Sequence, residues 1–210
     1  ALLQVGIDLL RQNDTAKLLV ANVEMVPALL VERIVSRLSA VPLTAITDRT
    51  LTPDELDRVR AAVEAVAPVA GRLAFLNAPF SLEHVAAARS DTAFDANVMM
   101  IDYIQRFTVG DGKGDKREQL ETAATVLRRF CDAGAAVLVA SAVARQKSAN
   151  GSTYRGLNLA SFRGSSELEY GTDAAYLFAP GDGFDPETAG PVTLTCEKNR
   201  YRAPADIVTH

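Results

Sequence analysis

The chain has 210 residues, 48% of them hydrophobic and 23% charged, with 22 Lys and Arg against 26 Asp and Glu. That is enough for one compact domain with a full core, because at this size about 70% of the unfolded surface can be buried. The net charge of −4 excludes global attraction to nucleic acid and leaves only local binding. No apolar stretch approaches the roughly 20 residues of a membrane span, and no signal peptide opens the sequence, so a soluble, cytoplasmic protein is expected.

Apolar runs alternate with amphipathic ones, the rhythm of a mostly parallel sheet covered by helices. Residues 1–12 have helical spacing, Asn13-Asp14 break it, and Leu18 to Val23 read as a short strand. Pro27 suits the first turn of a helix through Leu38. Thr52-Pro53-Asp54-Glu55 predicts a helix start with Thr52 as cap and Glu55 completing a capping box, running to about Val66. Leu73 to Leu76 is a further strand, and Ser81-Leu82-Glu83-His84 resembles another capped start. The run Val98-Met99-Met100-Ile101-Asp102-Tyr103-Ile104 reads as a buried strand, because a parallel strand covered on both faces is nearly continuously hydrophobic.

Gly110 to Asp115 is glycine-rich and predicts a flexible loop, after which Leu120, Ala123, Ala124, Leu127 and Phe130 recur at helical spacing up to Cys131. Val137 to Ala140 predicts a strand. Residues 145–158, polar, basic and glycine-containing, predict a mobile loop. Strands at 174–179 and 192–197 follow, with a turn around Gly181-Asp182-Gly183 between them. Cys131 and Cys196 lack Cys-x-x-Cys spacing and read as reduced thiols. His84 and His210 are too isolated for a metal site or a catalytic triad. Tyr154 and Tyr201 lie among basic residues and suit packing on neighbouring loops better than stacking on bases.

The chemistry follows from where polar residues interrupt the apolar strands. Glu24 lies just past the strand from Leu18, Asp102 ends the run 98–101, and Ser141 ends 137–140. In a parallel sheet all three emerge at the C-terminal edge, where open α/β sheets bind ligands. A metal–nucleotide site needs one carboxylate for Mg²⁺, usually through water, and a second that orients the attacking water; Asp102 and Glu24 suit those roles respectively. One such acid alone is as readily a turn cap, whereas two at matching topological positions favour function.

The strings VANVEM at 20–25, IDYIQ at 101–105, VLVAS at 137–141, the segment 162–173 (FRGSSELEYGTD) and EKNR at 197–200 occur in the order of replicative DnaB-type hexameric helicases. From Leu18 onward the chain resembles the RecA-like C-terminal motor domain of that family. The resemblance implies an α/β RecA-like fold with a mostly parallel central sheet, residues 1–210 forming a single ATPase domain, and ATP and Mg²⁺ as cofactors. It implies that Glu24 activates water, that Asp102 is the Walker B metal ligand, and that Gln105 and Ser141 sense nucleotide. Lys198 and Arg200 match the basic pair that reaches a neighbouring subunit's γ-phosphate, the role of an arginine finger. Arg163, Gly164 and Ser166 match a pore-facing segment on the DNA backbone, and Lys116 falls near a basic position in a second loop; phosphate contacts of this kind carry affinity without sequence information. Arg145, Lys147 and Arg155 read as solubilising charges. The partners implied are single-stranded DNA, copies of the chain in a ring expected to be a hexamer, and a primase or loader, with no membrane.

Three departures from the family pattern stand out. No Gly-x-x-x-x-Gly-Lys-Ser/Thr loop occurs in the sequence, and the opening residues read as the helix that follows such a loop, so the core is expected here without its first strand and phosphate loop. The glutamine that accompanies the sensor serine is replaced by Ala142, and the acidic residue of the pore segment by Gly164. A RecA-like recombinase or signalling ATPase, which would form a filament on DNA in place of a closed ring, is the alternative enzyme. A RecA-fold assembly or DNA-binding module without turnover is the non-enzymatic alternative, and failure to bind ATP would mark it.

Overall fold

The computed structural model describes residues 2–143 except 92, 111 and 113, together with 146–148, 151–153, 166–180, 192–202 and 207–209. In chain order the elements are α1 (Leu2–Gln12), β1 (Leu18–Asn22), α2 (Pro27–Ser39), α3 (Leu43–Thr47), α4 (Pro53–Ala70), β2 (Leu73–Phe75), α5 (Leu82–Arg89) and β3 (Val98–Asp102). They continue with α6 (Lys116–Asp132), β4 (Ala136–Val139), β5 (Gln146–Ser148), β6 (Gly151–Thr153), α7 (Ser166–Gly171), β7 (Ala174–Pro180), β8 (Val192–Asn199) and β9 (Ile207–Thr209). The chain divides into two compact units, Ala1–Gly112 with Arg129–Ala140, and Lys113–Arg128 with Ser141–His210.

The first unit holds a four-stranded parallel sheet in the order β2-β1-β3-β4. All five residues of β1 and the first four of β3 are buried, as strands covered on both faces require. On one face, Ile7 and Leu10 of α1, Leu30 and Ile34 of α2 and Val69 of α4 pack with Leu18, Val20, Val98 and Met100. The strand order reverses around β1: the chain moves from β1 to β2 on one side, then crosses to β3 and β4 on the other. Such a reversal opens a crevice beyond the carboxyl ends of the two strands at the switch, here β1 and β3.

Local chemistry sets the helix starts. The Thr52 hydroxyl accepts from the Glu55 amide at 3.3 Å while a Glu55 carboxylate oxygen accepts from the Thr52 amide at 2.9 Å, the reciprocal box that the sequence predicts. Ser81 Oγ likewise accepts from the His84 amide at 3.2 Å, and Pro27 opens α2. Helix α4 runs four residues past Val66, through Pro68. Proline there forfeits one helical hydrogen bond, and burial of Val69 with Val66 packed beside it offsets that loss. Strand β3 ends at Asp102, not Ile104; a 3-10 turn, Ile104–Arg106, follows and buries Ile104, whose amide donates to the Ala140 carbonyl at 3.0 Å.

The second unit carries an antiparallel sheet, β7-β8-β9, in which β9 was not expected. Part of the expected mobile loop is a hairpin: β5 and β6 pair antiparallel, with Ser148 opposite Gly151. Gly181 to Gly183 and Tyr154 lie outside the described residues. Cys196 is buried and Cys131 partly buried, and neither belongs to a disulfide. Tyr201, expected to pack on loops, is 79% exposed. Among the described residues no helix is long and apolar enough to cross a membrane.

Leu10 is fully buried and Val5, on the same helix, is 49% exposed. Leu10→Ala is expected to lower unfolding free energy by about 2–5 kcal/mol through transfer loss and cavity formation, and Val5→Ala to change it by less than about 0.5 kcal/mol. Chemical denaturation of both variants checks the contrast.

Candidate functional site

β1 and β3 run in parallel register, with Asn22 opposite Asp102 at their last positions. Their ends are tied a second time, because the Val23 amide donates to the Asp102 carbonyl at 3.0 Å. The Asn22 side chain completes the joint. Its Nδ2 donates to Asp102 Oδ2 at 2.8 Å, and its Oδ1 accepts from the amides of Glu24 at 3.0 Å and Met25 at 2.8 Å. Asn22 is 7% exposed, so a side chain without these partners would carry an uncompensated desolvation cost. One amide therefore fixes the direction of the Asp102 carboxylate and the backbone that carries Glu24.

The electrostatics of this edge are unfavourable in isolation. Asp102 is partly buried, and that burial, reinforced by the negative charge of Glu24, pushes its carboxyl above the ordinary aspartate range; the Asn22 hydrogen bond opposes the shift. Glu24 is exposed, and a cleft lined by Asn22, Glu24, Met25, Phe75 and Asn77 opens beside it. A partly dehydrated acid beside a second acid suits a cation. Among the described residues no group of three or more His, Cys, Asp or Glu gathers to hold a metal. Mg²⁺ keeps several waters and is bound through one or two carboxylates plus substrate phosphates, and Asp102 could serve as one such carboxylate.

Gln105 lies in the 3-10 turn just after β3, partly buried. Ser141 lies two residues past the end of β4. Lys116 is exposed at the first position of α6, whose start is capped by Asp115 Oδ1 accepting from the Glu118 amide at 3.1 Å. A lysine in that first turn opposes the helix dipole. Arg163 and Gly164 fall outside the described residues, and Ser166 is described only as the first residue of α7.

In the second unit Lys198 and Arg200 converge on the C-terminal end of α7. Lys198 Nζ donates to the carbonyls of Glu169 at 2.7 Å and Tyr170 at 3.0 Å. Arg200 Nη2 donates to the Tyr170 carbonyl at 2.7 Å and its Nη1 to Asp173 Oδ1 at 3.0 Å. Burial lowers the Lys198 pKa from its ordinary value, and the Arg200 charge adds to that. Sequence reasoning paired the two cations but missed the acid and carbonyls that hold them, and it assigned no role to Asn22. The signal for Asn22 was there: a polar residue closing the apolar run Leu18 to Ala21.

The family model described as the DnaB-like helicase C terminal domain matches residues 3–207. Among solved structures, one described as an ATPase domain aligns with a TM-score of 0.78 at 15% identity, covering 93% of this chain and 71% of that one. A DnaB-like replicative helicase, described together with its interactions with primase, aligns with a TM-score of 0.78 at 14% identity, covering 93% of this chain and 49% of that one. No curated protein matches the sequence. At these identities the structures speak to the fold, a RecA-like ATPase core with helices flanking a parallel sheet.

The raised Asp102 pKa carries a stability consequence. A carboxyl that titrates higher in the folded than in the unfolded chain stabilises the fold at pH values below its unfolded value of about 3.9, and that contribution is lost as pH rises through the folded value. Asp102→Asn, which is always neutral and still offers an acceptor to Asn22, is therefore expected to have a higher thermal midpoint than the parent at pH 7. The gap should close below about pH 4. A lower midpoint at pH 7 would contradict the assignment of Asp102 as a desolvated acid.

Proposed function

The chain belongs to the DnaB-like helicase C-terminal domain family, and from that premise we propose that it hydrolyses ATP between the subunits of a homo-oligomeric ring, a hexamer, to translocate on single-stranded DNA. The observation that carries this reading is the pair of acids, Asp102 and Glu24, held by one buried asparagine at the topological switch point of the sheet. Phosphoryl transfer asks a protein for positioning and charge stabilisation more than for covalent chemistry, and this edge supplies both.

Bound Mg²⁺ would supply neutralisation of the nucleotide's phosphate charge. Asp102 would hold it, with the carboxylate aimed by Asn22 Nδ2. Glu24, exposed and two residues beyond β1, orients the attacking water and takes its proton on a carboxylate oxygen. Gln105 and Ser141 follow β3 and β4 as nucleotide-sensing groups. Lys198 and Arg200 provide cations for the phosphoryl group of a neighbouring subunit's nucleotide, where preorganised charge lowers the barrier directly. Lys116, Arg163, Gly164 and Ser166 contact the sugar-phosphate backbone of DNA. The first-turn position of Lys116, which costs the helix a little dipole energy, is consistent with retention for an anionic ligand. A primase or loader is a candidate partner, and the protein works in the cytoplasm.

In the full-length protein, Glu24→Gln is expected to lower DNA-stimulated ATP hydrolysis on the order of 10²–10⁴-fold, the usual contribution of a positioned general base, while nucleotide binding persists. Asp102→Asn is expected to remove the Mg²⁺ dependence of nucleotide binding along with turnover. Steady-state hydrolysis and nucleotide titration with and without Mg²⁺ check both. Turnover in Glu24→Gln equal to the parent's would refute its role, and a filament on DNA where a closed ring is expected would favour the recombinase-like reading.

A further inference from the structure

We propose that Asp173 is the positioning residue for Arg200, setting the direction of the guanidinium that serves the neighbouring subunit's nucleotide. The proposal rests on the reading of Arg200 as a phosphate-directed cation. Asp173 grips this residue at two levels. Its backbone carbonyl accepts from the Arg200 amide at 2.8 Å, fixing where the side chain leaves the end of β8. Its Oδ1 accepts from Arg200 Nη1 at 3.0 Å, fixing where the side chain goes. The Tyr170 carbonyl holds Nη2 at 2.7 Å, so both terminal nitrogens are engaged and a flexible side chain is reduced to one direction.

The same Oδ1 is shared. Arg128 of α6 donates to it through Nη1, also at 3.0 Å. One carboxylate oxygen thus serves two guanidinium groups, with the Lys198 ammonium alongside on the carbonyls of Glu169 and Tyr170. The shared oxygen ties the direction of Arg200 to α6 as well as to the end of α7. A guanidinium held in a fixed direction is what stabilisation of a transferring phosphoryl requires, because the group need not reorganise as charge develops. Asp173 is 33% exposed on its side chain, and its use in the proposal is geometric. Asp173 touches no substrate; it acts through Arg200.

The test uses the full-length protein with ATP and single-stranded DNA, comparing Asp173→Asn, Asp173→Glu, Arg200→Ala and the double variant Asp173→Asn/Arg200→Ala. Arg200→Ala is expected to lose on the order of 10³-fold or more in kcat, as an arginine finger does. Asp173→Asn is expected to lose on the order of tenfold to a hundredfold in kcat, the penalty of a misplaced reacting group, with the KM for ATP and ring assembly at parental values. Asp173→Glu should recover most of that loss, and the double variant should be no slower than Arg200→Ala alone. Parental kcat in Asp173→Asn with a crippled Arg200→Ala would overturn the positioning role and leave the finger standing. Parental kcat in Arg200→Ala would overturn the finger reading itself. Loss of assembly in Asp173→Asn, or losses that add in the double variant, would show a structural role and overturn the proposal.

Discussion

The hydrogen bonds of the Asn22 side chain are the constraint on which the acidic edge depends. β1 and β3 are adjacent and parallel, so backbone pairing alone brings their ends together, but it leaves open where a carboxylate at that edge points. Asn22 decides this with one donor and one acceptor: the donor meets Asp102, and the acceptor gathers the amides of Glu24 and Met25. An apolar residue at position 22 would keep the strand and lose the site. An aspartate there would add a third negative charge to an edge where Asp102 already titrates high through burial and the proximity of Glu24. Asparagine satisfies the backbone without adding charge to that edge.

The basic residues follow the opposite logic. Lys198 and Arg200 stand on β8 and donate into the carbonyls that end α7, while Arg128 and Arg200 share Asp173. Here the protein supplies acceptors to cations and so fixes their directions. On the proposed function the two arrangements are complementary halves of one chemistry: an acid pair that gathers a metal and a water, and a cation pair that meets phosphate charge.

Much of the first unit could be read from the sequence because its signals are local. Helical spacing over residues 1–12, Pro27 at a first turn, the Thr52–Glu55 box and the apolar runs into Asn22 and Asp102 each depend on neighbours a few residues away. The reading faltered where tertiary packing overrides a local rule. Helix α4 was expected to end at about Val66, yet it continues through Pro68 to Ala70 with Val69 buried. Leu43–Thr47 is too short to show a period, and α7 and β9 are shorter than the window such patterns need. At the site, residue types located Glu24 and Asp102, since acids at apolar strand ends stand out. The bond between Asn22 and Asp102 spans 80 positions and that between Arg128 and Asp173 spans 45; no spacing rule reaches so far, and these contacts emerge only once the chain is folded.

The most direct test of the account is the titration of the Asp102 carboxyl itself, followed by carboxyl carbon NMR in the full-length protein with and without Mg²⁺ and a non-hydrolysable ATP analogue. Without nucleotide, Asp102 should titrate above the ordinary aspartate value of about 3.9, because burial and Glu24 oppose its charge. With Mg²⁺ and nucleotide bound, its pKa should fall below that value, since a coordinated cation stabilises the charged form. A carboxyl that titrates normally in the free protein and does not respond to Mg²⁺ and nucleotide would contradict the central claim that this edge is a metal–nucleotide site.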